Sequence, residues 1–91
     1  MKISAILNSP NVKILLYLYD SCRCEGARFS ELLKNVVVVR STLAYTLAEL
    51  EDEGLVYRKV ISSKPIQVRY LLTDKGMAVA ECFARIRSVM M

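Results

Sequence analysis

The most evident chemistry in this sequence belongs to basic side chains in its second half. Residues 1–53 carry six basic and seven acidic side chains, whereas residues 54–91 carry seven basic and two acidic ones. Four of these cations follow one another without an intervening acid: Arg58, Lys59, Lys64 and Arg69. Such a stripe of positive charge is typical of a surface that binds a polyanion, although an ordinary solvated face has the same pattern.

Side chains of the usual catalytic and metal-binding kinds are scarce. The sequence has no histidine, which removes the most common general base and metal ligand at neutral pH. The glycines at 26, 54 and 76 stand far apart, so they form no phosphate-binding loop. We therefore expect no enzymatic activity, no cofactor and no metal site.

The three cysteines, Cys22, Cys24 and Cys82, allow several interpretations. They are too few for a four-ligand zinc site in a chain without histidine. They could be three ordinary thiols, or they could form a disulfide, including one between subunits. A redox switch is a further hypothesis, because Arg23 lies between Cys22 and Cys24 and would favour a thiolate.

The first part of the chain predicts the helices that must support such a surface. Apolar residues recur at helical spacing over 10–21, with Ser9 as N-cap and Pro10 at the first helical position. Apolar residues before it suggest a shorter helix. The stretch "RFSELLKN" predicts a short extended pair, followed by a helix over about 31–35 with Ser30 as its N-cap.

The run "VVVVRSTLAY" raises the question of whether four valines form a strand or a connection between helices. Three leucines after it share one helical face: Leu43, Leu47 and Leu50. Gly54 suits the position just after a helix, and the apolar face extends back to Val39. We therefore predict a buried turn at residues 36–38 and a helix over about 40–53. Because Val39 is a poor N-cap, a start one turn later, near Ser41, is the alternative.

The rest of the chain predicts two strands and a last helix. "LVYRKVI" and "QVRYLL" alternate in the manner of strands, and the polar turn "SSKPI" lies between them, which gives a wing over 58–69. Thr73 is expected to cap a helix over about 74–90. The apolar band of that helix is wider than a chain of 91 residues can cover, so we expect a homodimer through the terminal helices.

These elements, in this order, predict an α+β, mostly helical fold: a winged helix-turn-helix with a two-stranded wing and a C-terminal dimerisation helix. Residues 1–91 are expected to form a single domain. No apolar run approaches the roughly 18 residues that a membrane span needs, and no secretory signal is evident at the start. We expect a cytoplasmic protein without a membrane partner.

Three stretches resemble the HxlR type of winged-helix transcription regulator, with MarR and PadR types as neighbours. They are "RFSELLKN", "LAELEDEGLVYRKV" and "KPIQVRYLLTDKG". The resemblance covers about residues 28–76. It implies a homodimer that binds double-stranded operator DNA, with the middle helix in the major groove and the wing on the backbone or minor groove.

The predicted DNA-binding residues follow from this placement. On the middle helix they are Arg40, Ser41, Thr42, Ala44 and Tyr45. On the wing they are Arg58, Lys59, Ser63, Lys64 and Arg69. The function expected is sequence-specific DNA binding by a homodimeric repressor with an unknown effector. The alternatives are a winged-helix module for protein–protein contact and a redox-responsive version of the regulator.

Overall fold

The computed structural model of the protein describes residues 2–21 and 25–91. Most of these residues are helical, and three short strands form a small antiparallel sheet. The elements in chain order are α1 (Ile3–Leu7), α2 (Pro10–Ser21), β1 (Ala27–Arg28), α3 (Phe29–Asn35), α4 (Arg40–Asp52), β2 (Val56–Ile61), β3 (Gln67–Leu72) and α5 (Asp74–Met90). The predicted fold class is confirmed: α3 and α4 form the helix-turn-helix, and β2 and β3 form the wing.

The hydrophobic core forms where the apolar faces of α2, α3, α4 and the sheet meet. The helices contribute its largest fully buried side chains: Ile14, Leu15, Leu18, Leu32, Leu43 and Leu50. The sheet adds Val56 and Leu72. Burying one aliphatic side chain of this size contributes roughly 1.5–3 kcal/mol. This packing fixes the face of α4 that remains outside.

The sheet has the strand order β1–β3–β2, with both pairs antiparallel. Val56 pairs with Leu72 and Lys59 with Arg69, so the alternation predicted for residues 67–72 is confirmed. The third strand was not predicted as part of the sheet. Its two residues, Ala27 and Arg28, pair with Tyr70 and Arg69, and two residues are too few to show an alternating pattern.

The predicted start of α3 is wrong by two residues. The helix begins at Phe29, and its N-cap is Arg28, whose backbone is extended and whose side chain makes no capping hydrogen bond. Arg28 is also the last residue of β1. The strand pairing therefore fixes where the helix starts, and Ser30 lies within its first turn.

The connection between α3 and α4 is half-buried rather than buried. Val37 packs into the core, whereas Val38 is 77% and Val39 is 53% exposed. Val39 is the N-cap of α4 and has an extended backbone, so the helix begins at Arg40 and not a turn later. Val36 and Val37 stay close to the end of α3, because the N–H groups of both donate to the Leu32 carbonyl, at 2.9 and 3.0 Å, and the chain leaves the core only at Val38.

The end of α4 is tied to the start of α5. Gly54 has φ +73°, and the N–H groups of Gly54 and Leu55 donate to the carbonyls of Glu51 and Leu50 at 3.0 and 2.9 Å. Thr73 caps α5 by accepting from the Gly76 N–H at 2.9 Å, and its hydroxyl donates to the Gly54 carbonyl at 2.6 Å. These bonds satisfy groups that helix ends leave unpaired.

The two terminal helices lie against each other and leave an apolar surface exposed. The groove between them has a volume of about 340 Å³ and is lined by Ile3, Arg85, Ile86, Val89 and Met90. No helix in the described ranges 2–21 and 25–91 is long and apolar enough to cross a membrane.

Candidate nucleic-acid interface

The outward face of α4 carries the five residues predicted to contact DNA on this helix. Arg40, Ser41, Thr42, Ala44 and Tyr45 are all exposed, and Tyr45 is 68% exposed. They stay outside because the inner face of the helix is occupied by its buried residues, which are Leu43, Thr46, Leu47 and Leu50. The small side chain at position 44 leaves room for another surface to approach the helix backbone closely. Contact of these residues with DNA remains a prediction.

Arg40, at the start of α4, has a partner in α3. Its guanidinium carbon lies 5.5 Å from the centre of the Phe29 ring, which is within the range of a cation–π contact. The contact limits where the Arg40 side chain can point. This role of Phe29 could not be predicted from the sequence, because Phe29 and Arg40 lie in different helices and only the helix-turn-helix brings them together.

The wing divides its predicted residues between two faces. Lys59 and Arg69 are directly paired across β2 and β3 and therefore share a face. Arg58 pairs with Tyr70 and lies on the opposite face, toward the C-terminal end of α4. The stripe of cations read from the sequence is thus two separate groups in the fold.

Arg58 is engaged with an acidic residue of α4. Its Nε lies 3.0 Å from Oε1 of Glu51, an ion pair without the alignment of a hydrogen bond. Burial raises the pKa of the adjacent Tyr70, and the Glu51 charge raises it further while Arg58 lowers it. Because Glu51 already balances its charge, Arg58 is the least available of the wing cations for an external anion.

The tip of the wing is polar and lies near the start of α3. The Ser63 hydroxyl donates to the Pro65 carbonyl at 2.6 Å, which shapes the tip, and Lys64 is exposed beside it. A groove of about 290 Å³ separates the wing from α3 and is lined by Arg28, Phe29, Ser30, Pro65, Ile66, Gln67 and Val68. Phe29 therefore contacts Arg40 on one side and borders the wing on the other.

Of the three cysteines, only Cys82 lies among the described residues. Cys82 is exposed and free. Cys22 and Cys24 lie outside the described residues. The described residues contain no cluster of three or more His, Cys, Asp or Glu that could hold a metal ion. A redox role for the three thiols remains a hypothesis.

The helix-turn-helix of α3 and α4, with one face of α4 exposed, is followed by a wing of two strands that carries several cations. These features define a winged helix-turn-helix protein. A family model described as HxlR-like helix-turn-helix matches residues 11–91. The chain therefore belongs to this family, which confirms the resemblance seen in the sequence.

Two similar relatives are transcriptional regulators of Bacillus subtilis. YvaP is 48% identical over 44 residues, which are 48% of this chain and 41% of YvaP. YodB is 34% identical over 62 residues, which are 67% of this chain and 55% of YodB. The chain thus spans about half the length of the curated relatives it matches.

Two solved structures show the likeness in three dimensions. The reduced form of YodB from B. subtilis matches with a TM-score of 0.75 and 30% identity, over 93% of this chain and 83% of that one. The MepR–DNA complex of Staphylococcus aureus matches with a TM-score of 0.76 and 25% identity, over 90% of this chain and 65% of that one.

Proposed function

We propose that this chain is a DNA-binding transcription regulator that inserts α4 into the major groove and places its wing on the DNA backbone. The observation that carries the proposal is the exposed face of α4, where Arg40 and Tyr45 flank small and hydroxyl-bearing residues. Membership of the HxlR-like family supports it, as does the likeness to a regulator whose structure includes DNA.

The side chains on α4 suit the two kinds of contact that such a helix makes. An arginine can bind both acceptors of a guanine edge, and the hydroxyls of Ser41 and Thr42 suit phosphate oxygens. Tyr45 can reach a phosphate or a thymine methyl group. The Phe29 ring limits the directions open to Arg40, which reduces the conformational entropy that Arg40 loses on binding a base.

The proposed contacts of the wing are electrostatic. Lys59, Lys64 and Arg69 make no ion pair within the described part of the chain, so their charges are available to phosphates. Ser63 can donate to a phosphate only by giving up its bond to Pro65. Arg58 would contribute less, since Glu51 neutralises it.

We also propose that the functional unit is a homodimer formed by the terminal helices. Val89, which lines the groove between α1 and α5, is 83% exposed, and Met91, which directly follows the groove residue Met90, is 95% exposed. A second copy would bury this surface and place two α4 helices on one DNA duplex. The simplest action of such a dimer is repression by blocking a promoter, in the cytoplasm, with residues 1–91 as one DNA-binding domain.

Binding to random duplex DNA at two salt concentrations tests the proposal. Each phosphate contact changes the slope of log K against log salt by about 0.9, so six or more contacts weaken binding by about 10³-fold or more between 50 and 200 mM salt. A folded protein that does not bind DNA at 50 mM salt would refute the proposal. The terminal apolar surface would then favour a module for protein–protein contact.

A further inference from the structure

Three cations form a row across one face of the sheet. Arg69 of β3 pairs with Arg28 of β1 on one side and with Lys59 of β2 on the other. Residues paired across antiparallel strands point to the same face, so the three side chains stand next to one another. We call Arg28, Arg69 and Lys59 the cation row. From the sequence we predicted DNA binding for Lys59 and Arg69, but not for Arg28.

The cation row is expected to destabilise the folded state. Like charges that stand directly opposite each other on neighbouring strands destabilise a sheet, and here both cross-strand pairs are of like charge. None of the three residues makes an ion pair within the described residues. Glu25 borders the same groove as Lys59 and Arg69, but its carboxylate forms no ion pair with either. Among side-chain hydrogen bonds within residues 2–21 and 25–91, the row makes one, a long bond of 3.4 Å from Arg69 Nη2 to Gln67 Oε1.

The row also continues the candidate DNA interface. Arg28 lines the groove between the wing and α3 and directly precedes Phe29, whose ring contacts Arg40. The cation row therefore begins beside the start of α3 and extends across the sheet, on the face opposite Arg58. Three neighbouring strands span about 10 Å between the outer two. Over the same length the axis of a DNA duplex advances by about three base pairs, at 3.4 Å each, so the row matches a short stretch of the DNA backbone.

We propose that the cation row binds the DNA backbone beside the segment that α4 contacts, and that the like charges are kept together for this purpose. The proposal rests on the proposed function and extends the interface to Arg28. It predicts an unusual combination: removing a charge from the row weakens DNA binding and leaves the fold equally stable or more stable.

The test compares Arg28→Gln and Arg69→Gln with Lys13→Gln, which removes one exposed charge from α2, outside the proposed interface. Affinity for a random duplex is measured at several salt concentrations, and Tm is measured by thermal unfolding. Each row variant is expected to lower the salt slope by about 0.9 per bound copy, which is about eightfold in affinity per contact at 0.1 M salt. Its Tm should be unchanged or raised by about 1–5 °C. Lys13→Gln should change neither the slope nor Tm.

A charge reversal sharpens the comparison. Arg69→Glu would place an acid between two cations, so it should raise Tm more than Arg69→Gln and weaken DNA binding more. Row variants whose salt slope equals that of the unchanged protein would overturn the proposal while leaving DNA binding by α4 intact. Row variants could instead lose binding to poly-L-glutamate yet keep the salt slope of DNA binding. That result would assign the row to an acidic protein partner and would also overturn the proposal that the row binds DNA. A folded, unchanged protein that binds no DNA would overturn both this proposal and the proposed function.

Discussion

Replacing Gly76 by alanine tests how closely α5 must approach the end of α4. A Cβ atom at this position would overlap the carbonyl oxygen of Leu55 and would lie 2.8 Å from its carbonyl carbon. Both are backbone atoms, so no side-chain rotation can relieve the contact. Leu55 is itself held, because its N–H donates to Leu50 and its carbonyl accepts from Thr73.

The expected sign is opposite to that given by helix propensity. Glycine inside a helix costs about 1 kcal/mol relative to alanine, so propensity alone predicts that Gly76→Ala stabilises the protein. Forcing a methyl group into a filled space costs roughly 1–3 kcal/mol, and more where backbone must shift. We expect a net loss of about 1–2 kcal/mol, or a Tm lower by about 4–16 °C for a domain of this size.

Gly54→Ala is the matched control. No atom lies within 4 Å of a Cβ at Gly54, but its φ of +73° is left-handed, so this change isolates the backbone cost of about 1–2 kcal/mol. Urea unfolding of the three proteins gives both free energies. If Gly76→Ala is as stable as the unchanged protein, or more stable, then α5 does not pass as close to Leu55 as the structure indicates.

Three further predictions concern the dimer, the thiols and one tyrosine. Val89→Glu should convert a dimer to a monomer in sedimentation at micromolar concentration, whereas the neighbouring Ser88→Glu should do so less; a monomeric unchanged protein would contradict the proposed dimer. If the cysteines form a switch, oxidation should change DNA affinity, and replacing Cys22, Cys24 and Cys82 together by serine should abolish the change; equal affinity with and without reductant would leave three ordinary thiols. Because burial raises the pKa of Tyr70 above 10.0, the folded state holds the phenol proton more tightly than the unfolded state. Stability should therefore fall as pH rises above about 10, and Tyr70→Phe should lose less between pH 8 and 11 in urea unfolding; an equal loss would contradict the shift.

Local patterns in the sequence were sufficient to predict most of the fold. The leucine spacing in α4 and the alternation in β2 and β3 follow from burial of one face of each element, which leaves a periodic trace in the chain. Thr73 and Gly54 were recognisable because helix ends have strong residue preferences. The start of α3 was missed because it depends on pairing between β1 and β3, which are far apart in the sequence.

The arrangement of the candidate site was much less predictable. The cations at 58, 59 and 69 look like one stripe in the sequence, but strand register places Arg58 against Glu51 and the other two on the opposite face. The contact of Arg40 with Phe29 and the pairing of Arg28 with Arg69 join residues that are 11 and 41 positions apart. No local pattern records such contacts, because they arise only when the elements pack.

The most direct test of the central claim compares Arg40→Ala with Lys64→Ala on two DNAs, a duplex selected for tight binding from a random pool and an unselected duplex. If α4 reads base edges, Arg40→Ala should cost about 1–3 kcal/mol on the selected duplex and little on the other, which narrows the gap between them. Lys64→Ala should weaken both equally and lower the salt slope by about one per subunit. If Arg40→Ala instead weakens both duplexes equally, Arg40 binds phosphate and specificity lies elsewhere; if neither change affects binding, α4 is not a recognition helix.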